Sequence, residues 1–556
     1  MNIPKIKPNL MDKAIGFFSP ETMGNRLRAR AQNSFMQGGY PIPGDVSDRA
    51  MRGWGVGTNM ADADILPGIK RMRAGSRDLF MNTPIPVAIL RRFKTNVVGW
   101  GLSLQSQIDR KFLGLTDKEA EAWQDNVERE WCYWADSKEC DITRTQNFNE
   151  LQALAFFSVL LSGDCFVALP YVERPGQPYK LRVNILEGDM ISNPPYLIET
   201  FSCAGGVEVD DNGAPTAYWI RSLPINYGLF TNMANYDSIL GTWKRLSVFG
   251  AQSGRRNILH MFDKERPSQR RGVPLLAPVL AQIKQISRLT EAELMAALVT
   301  AFLTVFLKNT PGNSGMGGFP TQQSILSGVG GLQEKIPGDE VNVEMGYGSI
   351  VSLSPGQEPI MVDPKRPNAA FDPFFTAMVK QVSAACELPY ELVLLHFSAS
   401  YSSTRGVMVE AWKKFRERRI WTTANFNQPV YEEWLYEAVL SGRVKAPGFL
   451  EDPVIRAAWC GAEWTGPGQG QIDPLKETQA ARERIDGKLS THEKEYSAIH
   501  GNDWKGGMNR LAREKDFLEE VGLVDPPVPP PSPVTGKPAT PPVVDNSETG
   551  SDEEKN

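Results

Sequence analysis

Hydrophobic and polar positions repeat with a helical period through much of this chain, and one stretch breaks the pattern by being apolar on nearly every side. From Leu275 to Leu307 the sequence reads as one continuous helix. A basic lead-in, Arg270-Arg271-Gly272-Val273-Pro274, opens it. It closes on Lys308-Asn309-Thr310-Pro311-Gly312, where Pro and Gly cannot continue a helix. At 1.5 Å per residue such a helix spans roughly 50 Å. Its first half is amphipathic, with Leu276, Val279, Leu280, Ile283 and Ile286 at helical spacing and Gln282, Lys284, Gln285 and Arg288 between them. In the second half, Leu294 to Leu307, Thr300 and Thr304 are the only polar members. A helix apolar all round must be buried all round, in a large core or between subunits. The uninterrupted run falls short of the ~18–20 apolar residues that a membrane span needs.

Shorter periodic segments flank this rod. Residues 1–70 are rich in Gly, Pro, Met and Asn and read as an irregular arm. Ile85 to Val98 is amphipathic and ends at Gly99-Trp100-Gly101, and alternation in Leu102–Gln105 predicts a strand. Thr116 to Ala135 predicts a helix that opens with a capping box, Thr116 with Glu119, and carries Trp123, Val127, Trp131 and Trp134 on its apolar face. Phe148 to Leu161 is a further helix, stopped at Ser162-Gly163. Cys165–Tyr171, Leu181–Ile185 and Ile258–Phe262 read as strands, and Gly205–Ile220 as a hairpin around Asp211-Asn212-Gly213. Beyond the rod, Thr310–Pro367 is a Gly- and Pro-rich compartment with strand candidates at Val341–Met345 and Ile350–Leu353. Asp372–Cys386 returns to helix, and Leu388–Thr404 reads as loop. A long helix runs from about Thr404 and is expected to break near Pro429. Asp473–Val521 is helical and highly charged. Nine prolines between Val524 and Val543, followed by an acidic remainder, make the tail a candidate for disorder.

Composition narrows the chemistry. A length of 556 residues suggests two to four domains, and the net charge of −5 provides no bulk attraction for nucleic acid. The six cysteines are widely spaced with no C-x-x-C pair, which argues for free thiols in a reducing cytoplasm over a disulfide scaffold or zinc site. No secretory signal is apparent. No P-loop, H-E-x-x-H or G-x-S-x-G motif occurs, so no nucleotide, metal or other cofactor and no catalytic residue is expected. His260, inside an apolar strand, reads as a core histidine. Two basic clusters remain. Arg255–Arg271 holds six Arg/Lys against two acids, and Arg405–Arg419 includes Arg405, Lys413, Lys414 and Arg416. Both suit phosphate contacts, and both suit solvated helix faces or ion pairs equally well. The chain reads as structural.

The order of these pieces resembles the lambda family of tailed-phage portal proteins over roughly residues 20–520. The phrases that carry the likeness are Arg71–Asn82 (RMRAGSRDLFMN), Val97–Leu104 (VVGWGLSL), Phe148–Val167 (FNELQALAFFSVLLSGDCFV) and Ile258–Pro274 (ILHMFDKERPSQRRGVP). Further on come Leu388-Pro389-Tyr390-Glu391-Leu392, Ser400–Arg405 (SYSSTR), Trp464-Thr465-Gly466-Pro467 and Asp473–Glu477 (DPLKE). The resemblance implies an α+β portal fold: an N-terminal arm (1–70), a wing (71–272, resuming with a long helix at 404–472) and a two-helix stem (273–309 and 368–386). It also implies a small α/β clip (310–367), a tunnel loop (387–403), a helical crown (473–523) and a Pro-rich acidic tail (524–556). It implies a closed ring of about twelve copies at a virion capsid vertex, assembled in the host cytoplasm, through which double-stranded DNA is packaged and ejected. Expected partners are the terminase large subunit, docking transiently at the clip, then head-completion or connector proteins, and the major capsid and scaffold proteins; no membrane is involved. By the same resemblance Ser398, Ser400, Tyr401, Ser402 and Ser403 face the channel, and Arg405, Lys413, Lys414 and Arg416 form a basic face on the long helix. Two other readings stay open on the residues: a phage-head enzyme (nuclease or protease), and a monomeric head scaffold or adaptor.

Overall fold

The computed structural model describes residues 59–222, 242–302, 306–309, 357–360, 370–397, 400–469, 474–501 and 504–522. In chain order its main helices and strands are α1 (Ala61–Asn82), α2 (Pro84–Val97), β1 (Ser103–Ser106), then past a one-turn helix at Arg110–Leu113, α3 (Asp117–Ala135), α4 (Phe148–Ser162), β2 (Asp164–Ala168) and β3 (Asn184–Glu187). Four short strands follow, β4 (Cys203–Ala204), β5 (Val207–Val209), β6 (Pro215–Ser222) and β7 (Thr242–Ser247), and then β8 (Ile258–Phe262). The second half holds α5 (Leu280–Phe302), β9 (Phe306–Asn309), β10 (Gln357–Ile360), α6 (Phe371–Ala385), α7 (Tyr390–Leu394), α8 (Tyr401–Thr422) and α9 (Gln428–Leu440). It ends with α10 (Pro453–Trp459), β11 (Ala462–Thr465), α11 (Pro474–Asp486), α12 (His492–His500) and α13 (Trp504–Glu520). Helices thus stand beside small sheets whose described strand pairs are all antiparallel.

The chain divides into two compact units. The first takes residues 1–91, 154–175 and 180–396. Within it β2 is the central strand of a three-stranded sheet, flanked by β3 and β8, with Phe166 opposite Leu186 on one side and His260 on the other. A four-stranded sheet, β4-β5-β6-β7, shares its core: Phe166, Leu186, Ile191, Val207, Val209, Tyr218, Val248 and Ile258 are buried together. Helix α1 begins at Ala61, ten residues before the expected end of the irregular arm. Side chains hold its first turns in place, since Asp64 pairs with Arg266 at 2.6 Å and Asp62 with Arg270 at 2.9 Å. These contacts offset the backbone donor that Pro67 removes from the helix.

The rod expected from Leu275 to Leu307 is interrupted at both ends. A 3₁₀ turn over Ala277–Val279, containing Pro278, precedes α5. Phe306–Asn309 is not helical but pairs as a strand with Gln357–Ile360. The rest of the compartment Thr310–Pro367, including the strand candidates Val341–Met345 and Ile350–Leu353, lies outside the described residues. Leu388–Thr404 is not loop throughout, because Tyr390–Leu394 forms α7 and α8 starts at Tyr401.

The second unit takes residues 92–153, 176–179 and 397–556. Its core is aromatic. Trp131 lies 5.0 Å from both Trp134 and Phe148, 5.2 Å from Trp434 and 5.6 Å from Tyr431, centroid to centroid, while Phe148 stacks on Phe426 at 5.4 Å. The capping box at Thr116 and Glu119 is present as the sequence predicts. The long helix does not break near Pro429. It widens into a π turn over Thr423–Asn427, where the Gln428 N–H reaches back five residues to the Thr423 carbonyl. One extra residue in the turn accommodates the proline, and the helix continues to Leu440.

Candidate channel segment and assembly surfaces

The phrases that distinguish this sequence meet in space, and they meet as structural knots. In the first unit Asp164 opens β2 with no solvent exposure, between two guanidinium groups from distant parts of the chain. Arg73 of α1 donates to its Oδ1 at 2.7 Å, and Arg271 donates through Nε to its Oδ2 at 2.6 Å. Arg73 also caps the end of α4 by donating to the Ser162 carbonyl at 2.9 Å and reaches Asp189 at 3.1 Å. Arg271 donates further to the carbonyls of Ile191, Gly188 and Gly205. Burial alone would raise the Asp164 carboxyl, but Arg271, the neighbouring His260 and Arg73 together hold it well below the usual carboxylate range.

His260 of β8 stacks on Phe166 at 4.0 Å, with Nε2 3.6 Å from Asp164 Oδ2. Burial pushes its imidazole down to about 4, against the opposing pull of Asp164. An acid–imidazole pair of this kind invites a catalytic reading, yet both side chains are sealed from solvent, at 0% and 5% exposure. No substrate reaches them, so His260 is a core histidine. Two glycines close the knot. Gly163 sits at φ +90°, and a Cβ on Gly272 would lie 1.9 Å from the Gly163 carbonyl oxygen, so the two backbones touch.

The second unit has a corresponding knot. Arg419, near the end of α8, donates to the carbonyls of Val97 and Asn96, both at 3.0 Å, and of Pro467 at 2.8 Å. Burial lowers its guanidinium to about 10. Gly99 takes φ +62°, and a Cβ there would meet Pro467 at 2.4 Å. Leu104 pairs with Trp464 across β1 and β11, and the Gln152 amide exchanges hydrogen bonds with the Leu102 backbone.

The two basic clusters resolve mainly into ion pairs and ring contacts. In the first, Arg266, Arg270 and Arg271 pair with Asp64, Asp62 and Asp164, while Arg255 lies over Tyr171 and Arg256 over Phe249. Most of that cluster is thus committed to partners within the chain. On α8, Lys413 pairs with Glu410 at 2.7 Å and Lys414 with Glu417 at 3.3 Å, whereas Arg405 and Arg416 are exposed. The expected basic face is thus interleaved with acids.

Of the serine-rich segment, Ser398 lies outside the described residues. Ser400 caps α8 by accepting from the Ser403 N–H at 3.4 Å, and Tyr401, Ser402 and Ser403 form the first helical turn, with Ser402 and Ser403 exposed. That turn carries no acidic residue. It leaves backbone N–H groups and the positive end of the helix dipole facing outward.

On α5 the first half is buried as expected, through Ile283 and Ile286, and a Cβ on Gly75 of α1 would touch Leu280 at 3.4 Å. In the second half Leu294, Met295 and Leu298 are 60%, 59% and 44% exposed, and Phe374 of α6 is 54% exposed. Among the described residues no group of three or more His, Cys, Asp or Glu could hold a metal ion, and no helix is long and apolar enough to cross a membrane.

Comparison with known proteins agrees with the sequence resemblance. A family described as phage portal protein, lambda family, matches residues 47–419. Portal protein B of Escherichia phage lambda is 24% identical over 503 residues, covering 88% of this chain and 91% of that protein. The portal protein of Escherichia phage N15 is 25% identical over 502 residues, covering 88% and 92%. Among solved structures, the neck of an empty gene transfer agent particle aligns at 13% identity and a TM-score of 0.41, covering 77% of this chain and 93% of the other. On the family match the chain belongs to the lambda family of phage portal proteins.

Proposed function

We propose that this chain forms the ring-shaped portal vertex of a tailed-phage capsid, the channel through which double-stranded DNA enters during packaging and leaves at ejection. The observation that carries the reading is the family match over residues 47–419, together with relatives aligned over most of both chains. The exposed Leu294, Met295 and Leu298 of α5 support it. Three large apolar side chains facing water on one helix mark an interaction surface. A second copy in heterologous, closing contact would cover them and generate a ring.

In this reading α5 and α6 are the stem helices, the region 310–367 is the clip, 387–403 the channel segment, α8 and α9 the long wing helix, and α11 to α13 the crown. Twelve copies are expected. The terminase large subunit docks transiently at the clip and gives way to head-completion or connector proteins, while capsid and scaffold proteins contact the wing. The channel side is electrostatically mild. The capped N-terminus of α8 with Ser402 and Ser403 offers phosphates weak, replaceable contacts, and two of the four cations of the expected basic face, Lys413 and Lys414, are paired with Glu410 and Glu417. Weak contacts suit sliding, because every neutralised phosphate adds affinity that must be broken again.

The test is Leu294→Asp with Leu298→Asp, read by light scattering on the purified protein with scaffold and capsid proteins. Loss of the closed ring with an unchanged subunit fold is expected. Rings formed as readily as by the wild type would overturn the assembly role of this face.

A further inference from the structure

Helix α13 is fastened at its start and exposed beyond it. Lys505 pairs with Glu121 of α3 at 2.8 Å, and a Cβ on Gly507 would run into the Tyr496 ring of α12. From Met508 onward every described residue of this helix is exposed, and Leu511, Phe517 and Val521 are so at 58%, 62% and 53%. A helix of this length is marginal in water without a packed face, so its apolar side chains call for a partner.

Two features of the helix say which partner. At a helical period Met508, Leu511 and Ala512 fall on one arc, and Phe517, Leu518 and Val521 fall on a second arc turned by roughly 120°. A two-fold pair would need one face common to both halves. A helix with a different face on each half meets a different neighbour on each side, which is the heterologous contact of a ring. Charge is divided the same way. Lys505, Arg510 and Arg513 stand in the first half with no acid, whereas Glu514, Asp516, Glu519 and Glu520 stand in the second with Lys515 alone. That order opposes the helix dipole, which favours acids at the start and bases at the end. It suits a basic first half lying beside the acidic second half of another copy. Each face is smaller than the ~800 Å² per partner of a stable one-to-one complex, so the contact gains its strength from repetition around a ring.

We propose that α13 packs head to tail, its Met508–Ala512 face against the Phe517–Val521 face of the adjacent copy. The contact rests on the ring proposed above.

Cross-linking of the full-length, assembled protein tests it. In a Cys132→Ser background, which removes the one exposed thiol, Ala512→Cys with Val521→Cys is treated with a short bismaleimide. On one helix these positions lie roughly 13.5 Å apart along the axis and on opposite sides, out of the reagent's reach. A ladder of covalent dimers, trimers and higher multimers in denaturing electrophoresis is expected; links that stop at dimers, or no links, overturn the contact. Electron microscopy of the same sample keeps the two readings apart. Rings without the ladder sink the α13 contact alone, and a ladder without closed rings upholds the contact while removing the ring. Arg510→Glu with Arg513→Glu should cut the yield of multimers severalfold, and adding Glu519→Lys with Glu520→Lys should restore it. A quadruple variant no better than the double one would refute the head-to-tail order.

Discussion

Acidification should weaken the first unit through one buried imidazole. His260 is stacked between Phe166 and Phe262, at 4.0 and 4.4 Å, with Arg73 and Arg271 nearby and Asp164 Oδ2 3.6 Å from its Nε2. Its proton affinity falls from the ordinary 6.5 to about 4, chiefly through burial. The unfolded chain therefore takes up a proton that the folded chain refuses. Stability is unaffected above pH 6.5 and declines as pH falls from there to about 4. Integrating the linkage between those two values gives a loss of about 1 kcal/mol at pH 6, about 2 at pH 5 and about 3 at pH 4. Asp164 adds nothing in this window, because its own depressed carboxyl releases its contribution only below the ordinary carboxylate range.

The assay is amide hydrogen exchange of β2 and β8, corrected for intrinsic rates, from pH 7.5 to 5, for the wild type and His260→Phe. Phenylalanine keeps the stack and removes the titration, and exposed carboxylates cancel in the difference. Wild-type protection should fall by about 2 kcal/mol, roughly thirtyfold, relative to the variant. Equal pH dependence in both proteins would refute the claim that the imidazole is held neutral.

Four further outcomes follow from the geometry. Asp164→Asn leaves the buried guanidinium of Arg271 without its counter-charge and Arg73 with Asp189 alone, and should cost about 3–5 kcal/mol, measured by urea unfolding of the first unit. Gly272→Ala places a Cβ against backbone that cannot yield and should cost about 3 kcal/mol in the same measurement. Arg419→Met keeps the aliphatic stem but leaves the carbonyls of Asn96, Val97 and Pro467 without their donor, for a loss of about 1–3 kcal/mol in thermal unfolding. Leu294→Asp alters folding stability by less than about 0.5 kcal/mol in the isolated subunit because the position is exposed, while weakening ring assembly in sedimentation.

Local signals in the sequence were read well where the chain's own neighbours decide the structure. The Thr116–Glu119 box, the helix from Phe148, the strand Ile258–Phe262 and the hairpin near Asn212 depend on residues a few positions apart. Long-range decisions were not legible. Asp164 lies 91 residues from Arg73 and 107 from Arg271, so the ion-pair knot appears in sequence only as an acid inside an apolar strand and arginines in separate phrases. The basic cluster before Pro274 left phosphate contacts and ion pairs equally open for the same reason, since its partners Asp62 and Asp64 stand some 200 positions away. Pro429 predicted a break because sequence does not reveal the π turn that accommodates it. The serine-rich segment read as loop, although Ser400 has the composition and placement of a helix cap.

The central claim is that the exposed Leu294, Met295 and Leu298 of α5 are covered by another copy of the chain around a DNA-wide hole. Electron cryomicroscopy of the protein assembled with its capsid and scaffold partners tests this most directly. The account predicts a closed ring in which Leu294, Met295 and Leu298 are buried against the adjacent subunit and the bore admits duplex DNA. Single compact molecules, or a ring in which those three side chains still face solvent, would contradict it.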